Sequence, residues 1–279
     1  MCKSKRFLML AAMVLAAACV ATFMVGSAVA ADTAAGISVK IGDAEAETVD
    51  SFAAAMEKVK AADADAAKVI TLGEGTVSAA DVNTFRIETP NLTIAGAGVD
   101  KTVINTGDFA ISGQAGVLIA ADNVTVRDLA VVSNNPGASG AAIKVTKIGT
   151  AEELPAVKNV TIANVSVKTI EAGFGLNLHG VEGATVTNVT VESSKKASVS
   201  IASASDVEID QLTTGTNDWN CDIYFPYNAA NVAAYGKASE VTFGELTLAN
   251  GVISSERTSD ATGGEDTLTF GEDFDMTTI

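Results

Sequence analysis

The stretch Asn159–Lys168 reads NVTIANVSVK and contains two short runs in which apolar and polar residues alternate. Val160 and Ile162 fall on one side of an extended chain and Thr161 falls on the other, and the run Val165–Val167 repeats the pattern. This alternation predicts two half-buried strands. The Ala-Asn pair between the runs predicts a bend, because Asn tolerates a left-handed backbone.

Similar phrases recur along the chain and define a repeat. They begin at residues 91, 123, 159, about 183, 206 and about 240, so the first three are 32 and 36 residues apart. One more strand-like run usually lies between two phrases, as at 117–119, 142–145, 175–178, 199–201 and 222–225. A unit of roughly 23–36 residues, built of three short strands, cannot bury an apolar face alone. The units are therefore predicted to stack on one another.

Stacked units of this kind predict an all-β fold, a right-handed parallel β-helix of about seven coils, with Asn side chains bonded to one another at the turns. Two other architectures also contain short strands with turn signals. Arrays of immunoglobulin-like sandwiches normally carry more aromatic residues than the 5% found here. A β-propeller normally repeats every 40 residues or so with aromatic signatures that this chain lacks. The β-helix is the preferred interpretation.

The best helix is predicted from Asp50 to Ala62, with Asp50 or Ser51 as its N-terminal cap. It has one apolar stripe, which must lie against an apolar surface. Because the open end of a stack exposes its interior, the helix is expected to cover the N-terminal end. The residues of the stripe are Phe52, Ala55, Met56 and Val59.

The organisation of the chain follows from these elements. We predict a signal peptide at 1–30, a lead-in segment at 31–47, a capping helix at 48–67 and a β-helix at 68–256. The acidic, Gly-rich segment 257–279 is expected to be a C-terminal cap or tail.

The first thirty residues have the pattern of a secretory signal peptide. A basic start, Met1–Arg6, precedes an apolar run from Phe7 to about Val25, and Ala28–Ala30 forms a small-residue cleavage site. A membrane anchor and a lipoprotein modified at Cys19 are the less favoured alternatives. The protein is expected to be exported, secreted or surface-associated, with no transmembrane segment after cleavage.

The charge of the chain limits its partners. Cleavage would leave 15 of the 18 Lys and Arg residues against all 34 Asp and Glu, a net charge near −19. Such a surface argues against nucleic acid or an anionic membrane as partner, and against a polyanionic polysaccharide unless a cation bridges the two. Cleavage would also leave Cys221 as the single cysteine, so no intramolecular disulfide is expected.

Three segments together resemble the pectate-lyase-like family of right-handed parallel β-helix proteins. They are the helix start Val49–Phe52, the run Ile70–Thr76 and the phrase Pro90–Gly98, and with the Asn-Val-Thr phrases they extend the likeness over roughly 48–255. The resemblance implies a β-helix in a bacterial secreted or surface protein. The family includes polysaccharide lyases, glycoside hydrolases, esterases, adhesins and proteins without known chemistry, so the likeness implies fold more than activity.

The catalytic sets of that family are not apparent in this sequence. Its lyases use clustered Asp residues to hold calcium beside an Arg or Lys base, whereas Arg127-Asp128 has no such surroundings and is expected to be a surface ion pair. Its hydrolases use several Asp residues and a Gly-His-Gly motif, whereas the only His is His179, expected to lie in a turn. No catalytic residue, metal site or cofactor is predicted, with Ca²⁺ implied only if the protein is a lyase.

One region differs from the repetitive background. The only Trp and all three Tyr residues occur between 219 and 235. If Ile223 is in the core, alternation places Cys221 and Phe225 inward and Asp222 and Tyr224 outward. Aromatic faces beside carboxylates and amides suit sugars, and a loop packed on the coil with buried rings is the alternative. The predicted ligand rim is Asp218, Trp219, Asn220, Asp222, Tyr224, Tyr227 and Tyr235.

The sequence therefore favours an exported β-helix protein that acts as a binding or structural module, with polysaccharide or a cell-surface glycan as the expected partner. A polysaccharide-degrading enzyme, lyase or glycoside hydrolase, is the alternative. A subunit of a larger surface assembly is a third hypothesis, and the sequence leaves the oligomeric state open.

Overall fold

The structure is a computed structural model. It describes residues 36–81, 83–107, 115–134, 140–148, 156–169, 173–227, 237–257, 264–272 and 274–278. The predicted signal peptide lies outside these ranges.

The described residues form one α-helix and nineteen β-strands. The helix is α1 (Phe52–Ala61), and the strands in chain order are β1 (Ile37–Ile41), β2 (Glu47–Val49), β3 (Lys68–Thr71), β4 (Gly75–Ser78), β5 (Arg86–Ile87), β6 (Leu92–Ala95), β7 (Thr102–Asn105), β8 (Ala115–Ile119), β9 (Val124–Ser133), β10 (Ala141–Val145), β11 (Val157–Thr169), β12 (Phe174–Ser194), β13 (Val199–Asn217), β14 (Ile223–Phe225), β15 (Glu240–Phe243), β16 (Leu246–Leu248), β17 (Ile253–Ser255), β18 (Thr267–Phe270) and β19 (Met276–Thr278).

The fold is all-β, and from β3 onward its strands pair in parallel within a curled sheet that contains three stacks. The first stack runs β3, β6, β9, β11, β12, β13, β15, β18. The second runs β4, β7, β9, β11, β12, β13, β16, β19. The third runs β5, β8, β10, β12, β13, β14, β17.

The repeated phrases of the sequence pair with one another in register. Leu92 in β6 pairs with Val124 in β9. Val160 in β11 pairs with Ala184 in β12, which pairs in turn with Val207 in β13. The alignment of phrases read from the sequence is therefore also the alignment of strands in the first stack.

Several strands are longer than predicted because they continue through bends. Residues in β9, β11, β12 and β13 adopt a left-handed backbone without breaking the strand pairing. Asn91, Asn123 and Asn159 begin successive phrases with φ angles of 57°, 57° and 56°. Asn tolerates this conformation better than other non-Gly residues do, so its place at each bend has a backbone cause.

The side chains at these bends form hydrogen-bonded columns. The amide of Asn123 donates to Asn91 Oδ1 at 2.8 Å, and the amide of Asn159 donates to Asn123 Oδ1 at 2.9 Å. A second column joins Asn188 to Asn164 at 2.7 Å and Asn164 to Asp128 at 2.9 Å. Each column links neighbouring repeats outside the backbone ladder and so helps to fix their register.

The interior is filled by aliphatic side chains stacked in rows. One row of the first stack consists of side chains that are at most 1% exposed: Ile70, Ile94, Val126, Ile162, Val186, Ile209 and Phe243. In-register pairing places aliphatic side chains of similar size above one another up to Ile209, and Phe243 follows at the end of the row, an arrangement that favours close packing.

The helix packs at the start of the stacks. Ser51 caps α1 by accepting a hydrogen bond from Ala54 N at 3.2 Å, as the sequence predicts. Phe52, on the buried face of α1, contacts Phe85 with 5.1 Å between ring centroids. At the other end of the chain Phe270 is 48% exposed and packs against Phe243 and Phe274. In the described part of the chain, α1 is too short and too polar to cross a bilayer.

The first Asn column supplies a test of the turn chemistry. Asn123→Ala removes two amide hydrogen bonds and forces Ala into a left-handed conformation, so unfolding free energy should fall by about 1–2 kcal/mol. Asn123→Gly should lose less, because Gly adopts a positive φ without steric cost. Urea unfolding measures both. Asn83→Ala, in a loop outside the columns, should change stability by under about 0.5 kcal/mol, and an equal loss there would contradict the assignment.

Candidate functional site

The candidate site is a group of aromatic side chains on the outside of the third stack. Phe174 begins β12, Tyr224 lies in β14, and Trp219 lies between β13 and β14. The rings of Phe174 and Tyr224 are parallel within 7°, with centroids 6.3 Å apart. Trp219 stands edge-on to both, at 5.6 Å from Phe174 and 5.3 Å from Tyr224. These distances and angles are those that aromatic pairs prefer.

A lysine completes this group. The Lys196 ammonium lies 5.1 Å from the ring centroids of both Phe174 and Trp219. Burial lowers the pKa of Lys196 below its usual value, and the electron-rich ring faces attract its charged form. We refer to Phe174, Trp219, Tyr224 and Lys196 as the aromatic patch. Phe174 is 7% exposed, whereas Trp219 is 45% exposed, so the patch is anchored at one ring and open at the other.

Two predicted rim residues flank Trp219 on the surface. Asp218 is exposed, and its carboxylate lies 3.8 Å from the ammonium of Lys195. Asn220 is exposed and has a positive φ of 50°. The residues that precede and follow Trp219 in the sequence therefore both have exposed hydrogen-bonding side chains, which the rim hypothesis requires.

Tyr227, another predicted rim residue, makes its contacts elsewhere. Tyr227 packs under the guanidinium of Arg257, whose central carbon lies 4.7 Å from the Tyr227 ring centroid. Its backbone N donates to the carboxylate of Glu256 at 3.2 Å. Tyr235 lies outside the described residues.

Asp222 is not on the rim, which corrects the sequence prediction. Its side chain is fully buried and accepts hydrogen bonds from the Thr214 hydroxyl at 2.6 Å, from Val252 N at 3.1 Å, and from the backbone and side-chain amides of Asn250 at 3.1 Å each. Thr214 belongs to the same repeat as Asp222, whereas Asn250 and Val252 belong to the following one. The carboxylate therefore joins repeats from within and is unavailable to a ligand.

Cys221 also differs from the sequence prediction, in the opposite sense, because it was expected to face the core. Its side chain packs in a small cluster with Ala141, Phe174 and Ala197, beside Tyr224 and apart from the main core. Burial raises the pKa of its thiol. Alternation failed at 221–222 because the regular strand begins only at Ile223, after the left-handed residue Asn220.

Sequence reasoning missed Phe174. The Trp and Tyr residues cluster between 219 and 235, and Phe174 lies some fifty residues before them in the chain. In the structure it pairs with Ala141, at the start of the β12 segment in the third stack. The available signal was the strand-like run 175–178, two repeats before the run that carries Tyr224.

A polar row extends from the patch across the same face of the third stack. Tyr224 pairs with Ser200, Ser200 with Asn177, and Asn177 with Lys144. His179, two residues after Asn177 and on the same side of β12, contacts the Ser200 hydroxyl through Nε2 at 3.0 Å. Asn177 and Ser200 are at most 1% exposed although they point away from the main core.

His179 does not occupy a turn, contrary to the prediction. It lies within β12 and is 4% exposed. Burial, with a smaller effect from the charge of Lys144, lowers the pKa of His179 from 6.5 to about 3, so the ring is neutral at physiological pH.

The remaining expected features are simpler. Arg127 donates a hydrogen bond to the carboxylate of Asp128, and both side chains are partly exposed, as expected of a surface ion pair. Among the described residues, no three His, Cys, Asp or Glu side chains lie close enough together to hold a metal ion.

Comparison with known proteins gives little further information. No protein-family model and no curated protein matches the chain. Among solved structures, the chain is similar to the A-module of mannuronan C-5 epimerase AlgE6 from Azotobacter vinelandii, with 18% identity and a TM-score of 0.45. The match covers 71% of this chain and 61% of that one. Membership of the pectate-lyase-like family stays a prediction from the sequence.

The two aspartates near the patch should differ sharply in their effect on stability. Asp222→Ala leaves several buried donors without an acceptor, so the free energy of unfolding should fall by about 3–5 kcal/mol. Asp218→Ala removes only a long, exposed ion pair and should change it by under about 0.5 kcal/mol. Chemical denaturation of both variants measures the difference, and similar losses would place Asp222 at the surface after all.

His179 should make stability depend on pH. Because its pKa is about 3 in the folded protein and near 6.5 when unfolded, only the unfolded chain gains a proton between these values. The free energy of unfolding is therefore unaffected by His179 above pH 6.5 or so. Below that pH, protonation of the unfolded chain lowers it by up to about 1.4 kcal/mol per pH unit.

The comparison with His179→Gln isolates this effect, since the carboxylates titrate in both proteins. Urea unfolding from pH 7 to pH 4 or so measures the stability of both proteins. As pH falls, wild type should lose stability relative to the variant. A difference that stays constant with pH would show that His179 is not buried in its neutral form.

Proposed function

We propose that this chain is an exported, right-handed parallel β-helix protein of the pectate-lyase-like type, acting as a binding module for carbohydrate. In this proposal the β-helix is a rigid support, and the aromatic patch on its third stack contacts the glycan. The single observation that carries the binding role is the exposure of Trp219 beside two packed rings.

The support for the β-helix comes from the strand pairing. Strands one repeat apart pair in parallel over three stacks, and Asn columns join the bends between them. A chain that turns three times per repeat and then pairs with itself one repeat later forms such a coil. About seven coils and the right-handed sense remain parts of the proposal.

The support for carbohydrate comes from the composition of the patch. Trp219 leaves 45% of its surface exposed, although burying it would be favourable in a protein with no other role for it. Sugar rings present C–H groups to aromatic faces and hydroxyls to neighbouring polar groups. Asp218 and Asn220, both exposed, supply a carboxylate and an amide for such hydroxyls.

The charge of the patch differs from that of the whole chain. The chain carries a formal charge of −16, whereas the patch and its edge contain Lys195 and Lys196. Only Asp218 offsets them among the rim residues near Trp219. At the aromatic patch an anionic glycan is thus repelled less than at the rest of the acidic surface, and a neutral glycan is unaffected by this charge.

Binding can be measured directly, because Trp219 is the only tryptophan in the chain. Titration with a panel of neutral and acidic polysaccharides, with and without calcium, should produce a saturable change in its fluorescence. Trp219→Ala should weaken binding of the responding glycan at least tenfold by calorimetry, which is the loss of about 1.4 kcal/mol. Phe270→Ala removes another exposed aromatic, at the end of the first stack, and should bind normally.

Two results would overturn the proposal. One is the absence of any fluorescence response across the panel. The other is equal binding by Trp219→Ala and wild type. New reducing or unsaturated ends in the incubated polysaccharides would instead support the alternative, a polysaccharide-degrading enzyme.

A further inference from the structure

The polar row beside the aromatic patch contains an unsatisfied amide. Asn177 is 1% exposed, and within the described part of the chain neither its amide nitrogen nor its amide oxygen has a hydrogen-bond partner. Leaving a buried polar group without a partner costs about 1–3 kcal/mol, so such groups in folded proteins usually contact a water or a ligand. Asn177 lies in a regular strand, paired on both sides, and its position is therefore set by the ladder.

The cross-strand neighbour of Asn177 in β10 is Lys144. Lys144 is half-buried, and no carboxylate in the described part of the chain pairs with it. Burial lowers the pKa of Lys144, with no opposing attraction from an acidic group. Neighbouring strands are about 4.8 Å apart, which places the Lys144 and Asn177 side chains next to each other.

The surroundings of Lys144 are unusual for so acidic a protein. The cross-strand row that contains it runs Arg86, Leu118, Lys144, Asn177, Ser200, Tyr224, Ser254. This row has two cations and no Asp or Glu, although the chain has 34 acidic residues against 18 basic ones. Arg86 is already paired with Glu88 at 3.1 Å, so Lys144 is the cation of the row that has no anionic partner among the described residues.

We propose that Lys144 and Asn177 form a binding site for a small oxyanion, with a carboxylate as the preferred group. The ammonium supplies positive charge, and the amide nitrogen donates a hydrogen bond to the same anion. Ser200 and the neutral ring of His179 contact each other and form the wall beside Asn177. A carboxylate is small enough for two neighbouring donors to share, and its charge balances one lysine.

A water molecule alone would satisfy only part of this site. It could bond to the Asn177 amide, but it would leave the half-buried ammonium without a negative charge. A neutral sugar hydroxyl has the same limitation. Removing a charge from water is costly unless an opposite charge accompanies it, and this cost favours an anionic ligand.

The test is anion-dependent stability of the full chain. Urea midpoints are measured in sodium acetate and in sodium chloride at equal ionic strength. A ligand that binds only the folded state stabilises it progressively as the ligand concentration increases. The urea midpoint of wild type should therefore increase more with added acetate than with the same concentration of chloride. Calorimetric titration with acetate should give a saturable isotherm.

Two variants identify the residues. Lys144→Met keeps the aliphatic stem without the charge, and Asn177→Leu keeps the approximate shape without the amide. Each should weaken acetate binding at least tenfold. Lys158→Met is the matched control, because Lys158 is an exposed cation paired with Glu182 at 2.9 Å, and it should bind acetate as wild type does.

The stability of Lys144→Met in the absence of acetate shows whether Lys144 binds an anion or has a structural role. An ammonium with no partner is not stabilising, so Lys144→Met should be at least as stable as wild type in chloride. In saturating acetate, wild type should instead be more stable than Lys144→Met. A large loss of stability in chloride would assign Lys144 to structure, and an equal acetate response in wild type and Lys144→Met would overturn the site.

A further arm identifies the source of the carboxylate. Glucuronate and glucose differ by the carboxylate that replaces a hydroxymethyl group. Binding of acetate alone indicates a site for free small acids, whereas tighter binding of glucuronate than of both acetate and glucose indicates an acid group carried on a sugar. The result is independent of the glycan proposal, because Trp219→Ala should leave acetate binding unchanged.

Discussion

The structure depends on one backbone constraint: each repeat must bend at fixed positions while its strands stay in register with those of the next repeat. A bend of this kind needs a left-handed residue, which costs most amino acids about 1–2 kcal/mol. Asn reduces this cost, and its amide also bonds to the Asn above it, so one residue type meets both requirements at Asn91, Asn123 and Asn159. Register then follows, and with it the stacking of the interior rows. Where Gly183 replaces Asn in β12, the bend persists with φ of 73° but the column of amides stops.

Polar groups buried inside the fold also help to hold successive parts of the chain together. Asp222 accepts hydrogen bonds from Thr214 in its own repeat and from Asn250 and Val252 in the next, and so ties these two repeats together. Lys68, only 1% exposed, donates to the carbonyl oxygens of residues 64, 66 and 90, where the chain leaves α1 and enters the first stack. Both are buried charges with several strong hydrogen bonds, the condition under which a protein tolerates them. Lys144 has no such hydrogen bonds to residues that the structure describes, and this contrast underlies the proposed oxyanion site.

The face of the third stack combines two surfaces of different chemistry. At Tyr224 it is aromatic, with Trp219 open to solvent, and at Lys144 it is cationic and polar. Parallel pairing places Tyr224 and Lys144 in one cross-strand row, three levels apart, although they are eighty residues apart in the chain. A ligand that extends along the stacks can contact both. The fold therefore permits a composite site without any local sequence motif, because successive repeats contribute one side chain each.

The sequence by itself determined the repeat, the strands, the helix with its Ser51 cap and the alignment of the phrases, because each of these depends on local periodicity and backbone preference. It also located the region of the candidate site through the aromatic cluster that includes Trp219. Only the tertiary structure decided that Asp222 is internal and that Phe174 belongs to the patch. Alternation predicts which way a side chain points only within a regular strand, and Asp222 precedes the strand. Contacts between repeats depend on register across the fold, and no local pattern around Phe174 or Lys144 records which residues stand beside them.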